Sequence, residues 1–386
     1  MAMTWEELVA EVTARHPMKE SKMFGMPCLK RENGKVVAGH WKDGGLTVKL
    51  VDEVQREAAL ALAGAQLFDP GMGRVMREWV HVPADQSGEW ERLVEQAIGG
   101  DVAESDTPIV LMPGEGEVIV NQESWSSRIK VARDELLLTE SSYAAGERGA
   151  RPHFHREHAD GFYVLDGELA FNVAGERRLL PAGAFVLAPR GLVHGFEVDP
   201  GGGRHLNLHA PGHAFAKLTR ARRDGVEVDP GKDGDTFAPP ADGGRPVSDA
   251  VIRFSDEGER MPPTARFLLK AALPELAVLE FDVEPEFGGS SHVHKRHHDE
   301  YYVLAGEIEF GVGGETLRGA EGTFVSVPPG VEHVWTNTGP NRARFLNIHA
   351  PGTWFEQYLR ERAEIELAGG EPDRAFFERH DTFVSD

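Results

Sequence analysis

The stretch that decides the fold is His292-Val293-His294-Lys295-Arg296-His297-His298-Asp299-Glu300-Tyr301-Tyr302-Val303-Leu304-Ala305-Gly306. His292 and His294 alternate, so on a strand both imidazoles face one side. Asp299 follows as a carboxylate. A third imidazole, His333, closes Gly322-Thr323-Phe324-Val325-Ser326-Val327-Pro328-Pro329-Gly330-Val331-Glu332-His333. Three imidazoles and one carboxylate form a mixed N/O donor set suited to a divalent transition metal.

Reading outward, the same arrangement occurs earlier in the chain. His153-Phe154-His155 matches His292-Val293-His294, and Phe162-Tyr163-Val164-Leu165-Asp166-Gly167-Glu168 matches Tyr301 to Glu307. Gly183, Pro189, Gly191 and His194 match Gly322, Pro328, Gly330 and His333. Leu206-Asn207-Leu208-His209-Ala210-Pro211-Gly212 matches Leu346 to Gly352. Glycines, prolines and histidines recur at nearly one offset. The period is too long for a solenoid and indicates a duplicated domain.

Each copy resembles a cupin, and the pair resembles a bicupin. The family's first motif falls on His153, His155, Asp160 and Gly167, and on His292, His294, Asp299 and Gly306. Its second falls on Gly183, Pro189, Gly191 and His194, and on Gly322, Pro328, Gly330, His333 and Asn337. Val198 replaces the final asparagine in the first copy. The resemblance implies a mainly β chain with two tandem jelly-roll barrels. It also implies metal ligands His153, His155, Asp160 and His194 in one barrel and His292, His294, Asp299 and His333 in the other. One divalent metal per barrel is expected, whether Fe, Mn, Ni, Cu or Zn.

The usual carboxylate of the family is glutamate. Aspartate is one methylene shorter, so on an unchanged backbone its oxygen sits about 1.5 Å further back. The strand shifts, or a water bridges, or three histidines suffice. Recurrence of Asp in both copies makes Asp160 and Asp299 the preferred ligands. Glu300 offers a substitute in the second copy only, because its counterpart is Gly161. His158, His297 and His298 fall between the fixed places and read as loop residues. His209 and His349 share a strand face with Asn207 and Asn347 and read as structural.

Residues 1–100 have another character. Thr4 caps an expected helix carrying Trp5, Leu8, Val9 and Val12. Strands are expected over Val36–Trp41 and Leu46–Leu50, joined at Asp43-Gly44-Gly45. A helix from Val51 to Ala63, a strand around Trp79–Val82 and a helix from Gly88 to Ile98 complete a small α+β domain. Lys22-Met23-Phe24-Gly25-Met26-Pro27-Cys28, Phe68-Asp69-Pro70-Gly71-Met72-Gly73-Arg74 and Met76-Arg77-Glu78-Trp79 resemble the TfoX N-terminal domain family. That family carries no accepted catalytic residues. With 12 basic and 15 acidic residues, the segment has net charge −3 and no basic footprint for nucleic acid. Cys28 reads as a half-buried turn residue.

Residues 99–107 read as a linker, 108–220 as barrel 1, 224–249 as an exposed connection, 250–370 as barrel 2 and 371–386 as a polar tail. In that tail Phe376 and Phe377 are placed to dock on a neighbour. The formal net charge of −22 disfavours non-specific binding to nucleic acid or anionic membrane. A single cysteine excludes an internal disulfide framework and a thiolate zinc cluster. The amino terminus lacks a signal-peptide pattern and no run reaches the length of a membrane span, so a cytoplasmic protein is expected. A monomer and a homodimer fit equally.

A three-histidine, one-carboxylate site leaves positions open for substrate and dioxygen. Among bicupins the motif wording is most similar to quercetinase-like dioxygenases. The expected activity is a metal-dependent dioxygenation of a small phenolic or enol compound, with Asp160 and Asp299 as catalytic carboxylates that accept the substrate proton. The alternatives are a non-catalytic small-molecule sensor and a metal-dependent decarboxylase or isomerase, which fold alone does not separate.

Overall fold

The computed structural model describes residues 3–16, 18–31, 36–50, 53–71, 75–105, 107–147, 149–240, 249–261 and 265–384. The chain forms two compact units, Met1–Thr107 and Pro108–Asp386. Among the described residues no helix is long and apolar enough to cross a membrane.

In the first unit, helix α1 (Trp5–Arg15) starts at Thr4, whose side chain accepts from Glu7 N–H while the Glu7 carboxylate accepts from Thr4 N–H. This reciprocal cap is what the Thr-x-x-Glu spacing predicts. Strands β1 (Met18–Met23), β2 (Met26–Arg31), β3 (Val36–His40), β4 (Leu46–Lys49), β5 (Gln66–Phe68) and β6 (Met76–Val82) form one sheet ordered β1-β2-β3-β4-β6-β5. Gly44 sits at φ 84°, a conformation the turn between β3 and β4 demands and glycine supplies without strain. Helix α2 (Glu53–Leu60) covers part of the expected helix, and Val51 and Asp52 lie outside the described residues, as do Met72, Gly73 and Arg74. Helix α3 (Trp90–Ser105) runs through most of the expected 99–107 linker, so that segment is helix rather than connection. Trp5, Leu8 and Val12 of α1 and Leu93, Val94 and Ala97 of α3 pack on Val37, Leu46, Val48 and Val80 of the sheet. Cys28 lies on β2 with no exposed surface, not in a turn.

The second unit begins with β7 (Ile109–Leu111). Barrel 1 follows as β8 (Glu117–Asn121), β9 (Trp125–Ala132), β10 (Leu137–Tyr143), β11 (Ala159–Val173), β12 (Glu176–Pro181), β13 (Phe185–Ala188) and β14 (His194–Ala210), then helices α4 (His213–Arg223) and α5 (Pro230–Gly234). Barrel 2 comprises β15 (Val251–Arg253), β16 (Phe267–Ala272), β17 (Ala277–Val283), β18 (His292–Val293), β19 (His298–Ala305), β20 (Glu307–Val312), β21 (Glu315–Ala320), β22 (Phe324–Val327), β23 (His333–Thr336) and β24 (Ala343–Ala350). Helices α6 (Phe355–Leu367) and α7 (Arg374–Arg379) and strand β25 (Phe383–Val384) complete it. All pairings are antiparallel. Register shifts at Val164/Asp166 and Gly167/Leu169 interrupt the long β11, which pairs with β13 along its first half, β12 along its second and β14 along both.

Two strands change sides. β7 precedes barrel 1 yet pairs with β22 of barrel 2, and β15 precedes barrel 2 yet pairs with β13 of barrel 1. The barrels share an apolar core in which Leu138, Tyr163, Phe185 and Leu208 meet Leu276, Tyr302, Phe324 and Ile348. Alternate residues of the same strands, Phe162 and Val164 or Tyr301 and Val303, point into the barrel interiors. Burial on both faces explains why these strands read as unbroken apolar runs. A buried hydrogen bond also bridges the halves: Tyr163 Oη donates to Glu280 Oε2 at 3.1 Å, an oxygen that lies 3.2 Å from Lys270 Nζ of its own barrel.

Neither polar segment flanking the repeats is an idle connection. Residues 224–240 carry α5 and lay Phe237 against Phe154 through paired main-chain hydrogen bonds, while residues 241–248 lie outside the described set. Beyond residue 370, Phe376 is buried beside Tyr358 of α6, and β25 pairs with β18. The expected docking of Phe376 therefore takes place within barrel 2.

Candidate metal centres

Strand pairing places the third histidine beside the first. His153 and His194 exchange main-chain hydrogen bonds of 2.8 Å, and His292 pairs with His333 in register. The Pro-x-Gly turn that delivers each third histidine is tied to the second: Gly191 N–H donates to His155 O, and Gly330 N–H to His294 O, each at 2.6 Å. Both glycines have positive φ, 79° and 86°. The donor atoms of His153, His155, Asp160 and His194 all lie within 4.8 Å of one another, and so do those of His292, His294, Asp299 and His333.

Each imidazole of the two sets is oriented through Nδ1. His153 donates to Arg151 O (2.7 Å), His155 to Asp235 O (2.9 Å) and His194 to Leu192 O (2.9 Å). In barrel 2, His292 donates to Ser290 O (2.8 Å), His294 to Asp381 O (2.7 Å) and His333 to Val331 O (3.0 Å). A carbonyl only accepts, so Nδ1 carries a proton and Nε2 of each ring faces the centre. His292 Nε2 and His294 Nε2 then face each other at 3.2 Å, and His333 Nε2 lies 3.1 Å from Asp299 Oδ2. Barrel 1 matches, with His194 Nε2 3.0 Å and His155 Nε2 3.5 Å from Asp160 Oδ2.

Lone pairs pointed at one another across a buried space repel unless a positive charge stands between them. Ligand atoms each about 2.1 Å from a common ion are about 3.0 to 3.4 Å apart at cis or tetrahedral angles, and the shortest separations in each set, 3.0 to 3.2 Å, fall in that range. The donor set thus fits a divalent metal in both barrels. Aspartate reaches the cluster in spite of its length. It is held there by asparagine: Asn207 Nδ2 donates to Asp160 Oδ1 at 2.5 Å, and Asn347 Nδ2 donates to Asp299 Oδ1. Glu300 does not contribute, since its buried carboxylate lies toward Arg133, 3.9 Å away. Burial pushes that carboxyl up to about 8.

Electrostatics agree with the donor roles. Burial, reinforced by the neighbouring imidazoles, pushes His153 down to about 4 and His292 down to about 3, so both rings are neutral near pH 7. Burial alone would raise Asp160 and Asp299. The surrounding imidazoles, His209 and His349 foremost, instead hold both carboxyls well below the usual range. Burial would lower His333, but the Asp299 carboxylate outweighs it and raises that ring.

Around each set lies a ring of buried polar groups. His158 and His297 are buried, with Nδ1 3.1 Å from Asp235 Oδ2 and 3.0 Å from Asp381 Oδ2 respectively. His298 is buried on β19 and faces Glu135, 3.8 Å away. Of the three loop readings, that of His298 is corrected, since it opens β19, while His158 and His297 lie in the loops just before β11 and β19 as read, but buried. His209 and His349 hold the asparagines, with Nε2 2.8 and 2.9 Å from Asn207 Oδ1 and Asn347 Oδ1. They stack on Phe215 and Phe355 at 3.8 and 3.6 Å. Barrel 2 differs from barrel 1 in Tyr301, which donates to Asp299 Oδ2 at 2.7 Å where barrel 1 has Phe162.

Asp235 and Asp381 were missed by sequence reasoning. Their signal is the tripeptide Asp-Thr-Phe, present at 235–237 and 381–383.

A family model described as "Cupin domain" matches residues 139–202 and 279–349. Two cupin domains lie in tandem in this chain. The quercetin 2,3-dioxygenase of Bacillus subtilis (strain 168) is 23% identical over 295 residues, 66% of this chain and 85% of that protein. Among solved structures, a variant of Bacillus subtilis oxalate decarboxylase is 16% identical with TM-score 0.43, covering 63% of this chain and 77% of that one. AerE from Microcystis aeruginosa is 12% identical with TM-score 0.44, covering 63% of this chain and 97% of that one. Both matched cupin segments contain their whole ligand sets and stop short of Asp-Thr-Phe.

Proposed function

We propose that the tandem cupin domains form a metal-dependent dioxygenase for a small phenolic or enol compound, with one divalent transition metal in each barrel. The observation that carries the metal is the convergence of three Nε2 atoms and one carboxylate oxygen, oriented by the Nδ1–carbonyl hydrogen bonds. The similarity to a quercetin 2,3-dioxygenase supports the reaction class. His153, His155, Asp160 and His194 hold one ion, and His292, His294, Asp299 and His333 the other. A bound divalent transition metal supplies Lewis acidity toward an enolate or phenolate and a route for electrons to dioxygen.

The chain's own groups set the conditions. Asn207 and Asn347 occupy Oδ1 of each carboxylate and turn Oδ2 to the centre. The lowered pKa of Asp160 and Asp299 favours the ligand role over that of proton acceptor, because a carboxylate held so far below the usual range is a weak base. Tyr301 already donates to Asp299, a contact that Phe162 cannot make in barrel 1, and this directs the search for substrate to barrel 1. The first unit is assigned as a TfoX N-terminal-like domain in a cytoplasmic protein, on its quoted motifs and its α+β order, with no catalytic part.

Full-length protein loaded separately with Fe(II), Mn(II), Ni(II) and Cu(II) is offered a panel of flavonols, catechols and enols in an oxygen electrode. Substrate-dependent oxygen uptake with at least one metal is expected, together with its loss in His153→Ala. Two metals per chain with no oxygen uptake across the panel refutes the reaction. No retained metal refutes the site.

A further inference from the structure

Asp235-Thr236-Phe237 and Asp381-Thr382-Phe383 lie outside both segments matched as cupin domain, each just after a short helix, α5 or α7. They do the same thing twice. Both aspartates adopt the left-handed conformation, φ 50° and 62°, which aspartate tolerates better than most residues. In that conformation the Asp235 carbonyl meets His155 Nδ1, 80 residues away in sequence, and the Asp381 carbonyl meets His294 Nδ1, 87 residues away. Each carboxylate accepts from two consecutive main-chain N–H groups just past that histidine. For Asp235 these are Arg156 (3.1 Å) and Glu157 (2.6 Å), and for Asp381 they are Lys295 (3.2 Å) and Arg296 (2.8 Å). The phenylalanine two residues on pairs with the strand between the ligand histidines: Phe237 with Phe154, Phe383 with Val293. A cation then covers the ring, Arg156 at 4.0 Å from Phe237 and Lys295 at 3.4 Å from Phe383.

We propose that the two Asp-Thr-Phe segments are clasps, in which Asp235 and Asp381 act as positioning residues for the metal ligands His155 and His294. The inference rests on the metal-binding reading above. The physical reason is that the middle histidine of each set has no carbonyl of its own neighbourhood to hold Nδ1. His153, His292, His194 and His333 each use a carbonyl two residues earlier. His155 and His294 borrow theirs from the clasp. Without it the ring loses its fixed tautomer and its orientation. The carboxylate pins the clasp to the strand it serves, so each barrel presents three aligned lone pairs only when a segment beyond its last strand has docked.

Full-length wild type, D235G, D381G, the double variant and D381N are stripped of metal and titrated with Zn(II) against a chromophoric chelator. Glycine keeps the left-handed backbone and removes the carboxylate; asparagine keeps the backbone and one acceptor oxygen. Wild type is expected to bind two Zn(II) per chain. D235G and D381G should each keep one tight site and weaken the other by about 10- to 100-fold. The double variant should weaken both, and D381N should recover most of the loss. Near-UV circular dichroism of the metal-free chains should stay unchanged. Two tight sites in D381G overturn the clasp and leave the metal reading intact. So does a loss that comes with a collapsed near-UV spectrum and no recovery in D381N, which marks a structural role alone. Wild type that binds no Zn(II) overturns the metal reading and the clasp with it.

Discussion

Replacing His205 by phenylalanine, the residue that Phe345 places at the matching point of barrel 2, removes a buried base from the interior of barrel 1. His205 is 2% exposed, and its Nδ1 has no hydrogen-bond partner. It stacks on Tyr143 at 5.6 Å and meets the edge of Phe196 at 5.1 Å. Burial pushes its imidazole down to about 4 from 6.5, with the Asp160 charge only partly opposing. The folded chain therefore keeps the ring neutral while the unfolded chain takes up a proton below pH 6.5. The sign follows: stability is unaffected above that pH and is lost progressively as pH falls toward 4. For one group shifted this far, linkage gives a loss of about 2 kcal/mol at pH 5 and about 3 kcal/mol at pH 4. Urea unfolding of metal-free wild type and H205F at pH 7, 6, 5 and 4 measures it. Subtracting the pH 7 difference removes any packing effect of the larger ring. The variant should gain on wild type by those amounts as pH falls. A gap that stays constant from pH 7 to 4 refutes the reasoning, since His205 would then titrate alike in both states.

Three further outcomes follow from the packing. Glu280→Ala leaves Lys270 buried without its carboxylate and deprives Arg344 of its partner; it should cost about 3–5 kcal/mol in thermal or chemical unfolding, more than an exposed pair ever does. Leu208→Ala opens a cavity in the core shared by the barrels and should cost about 2–5 kcal/mol, read by the same assays, with metal stoichiometry unchanged. Cys28 has no exposed surface and burial raises its thiol, so it should react with a thiol reagent only at the rate at which the first unit unfolds.

What the sequence disclosed was whatever depends on short spacing. Alternation puts His292 and His294 on one face, and the Pro-x-Gly turn aims His333, because a strand and a turn are fixed by neighbours in the chain. The exchange of β7 and β15 between barrels left no such mark, since either strand satisfies the same rules at either edge. His158 and His297 read as loop residues because nothing near them in sequence is acidic on the right side. Their partners, Asp235 and Asp381, arrive from 77 and 84 residues away. The clasp was hidden twice over. Its repeat offset is 146, not 139 or 140, so it drops out of the alignment that reveals the barrels. Its service to His155 and His294 is performed by a main-chain carbonyl, which every residue type possesses. The polar segments around it read as exposed because they lack apolar periodicity, and much of each is exposed, but the clasp residues are not. That inference assumes polar groups seek water. Here the carboxylates of Asp235 and Asp381 find main-chain N–H groups and an imidazole instead, so both side chains are buried. Exposure can be read from polarity only where no unpaired main chain waits to be satisfied, and the strand between two ligand histidines is such a place.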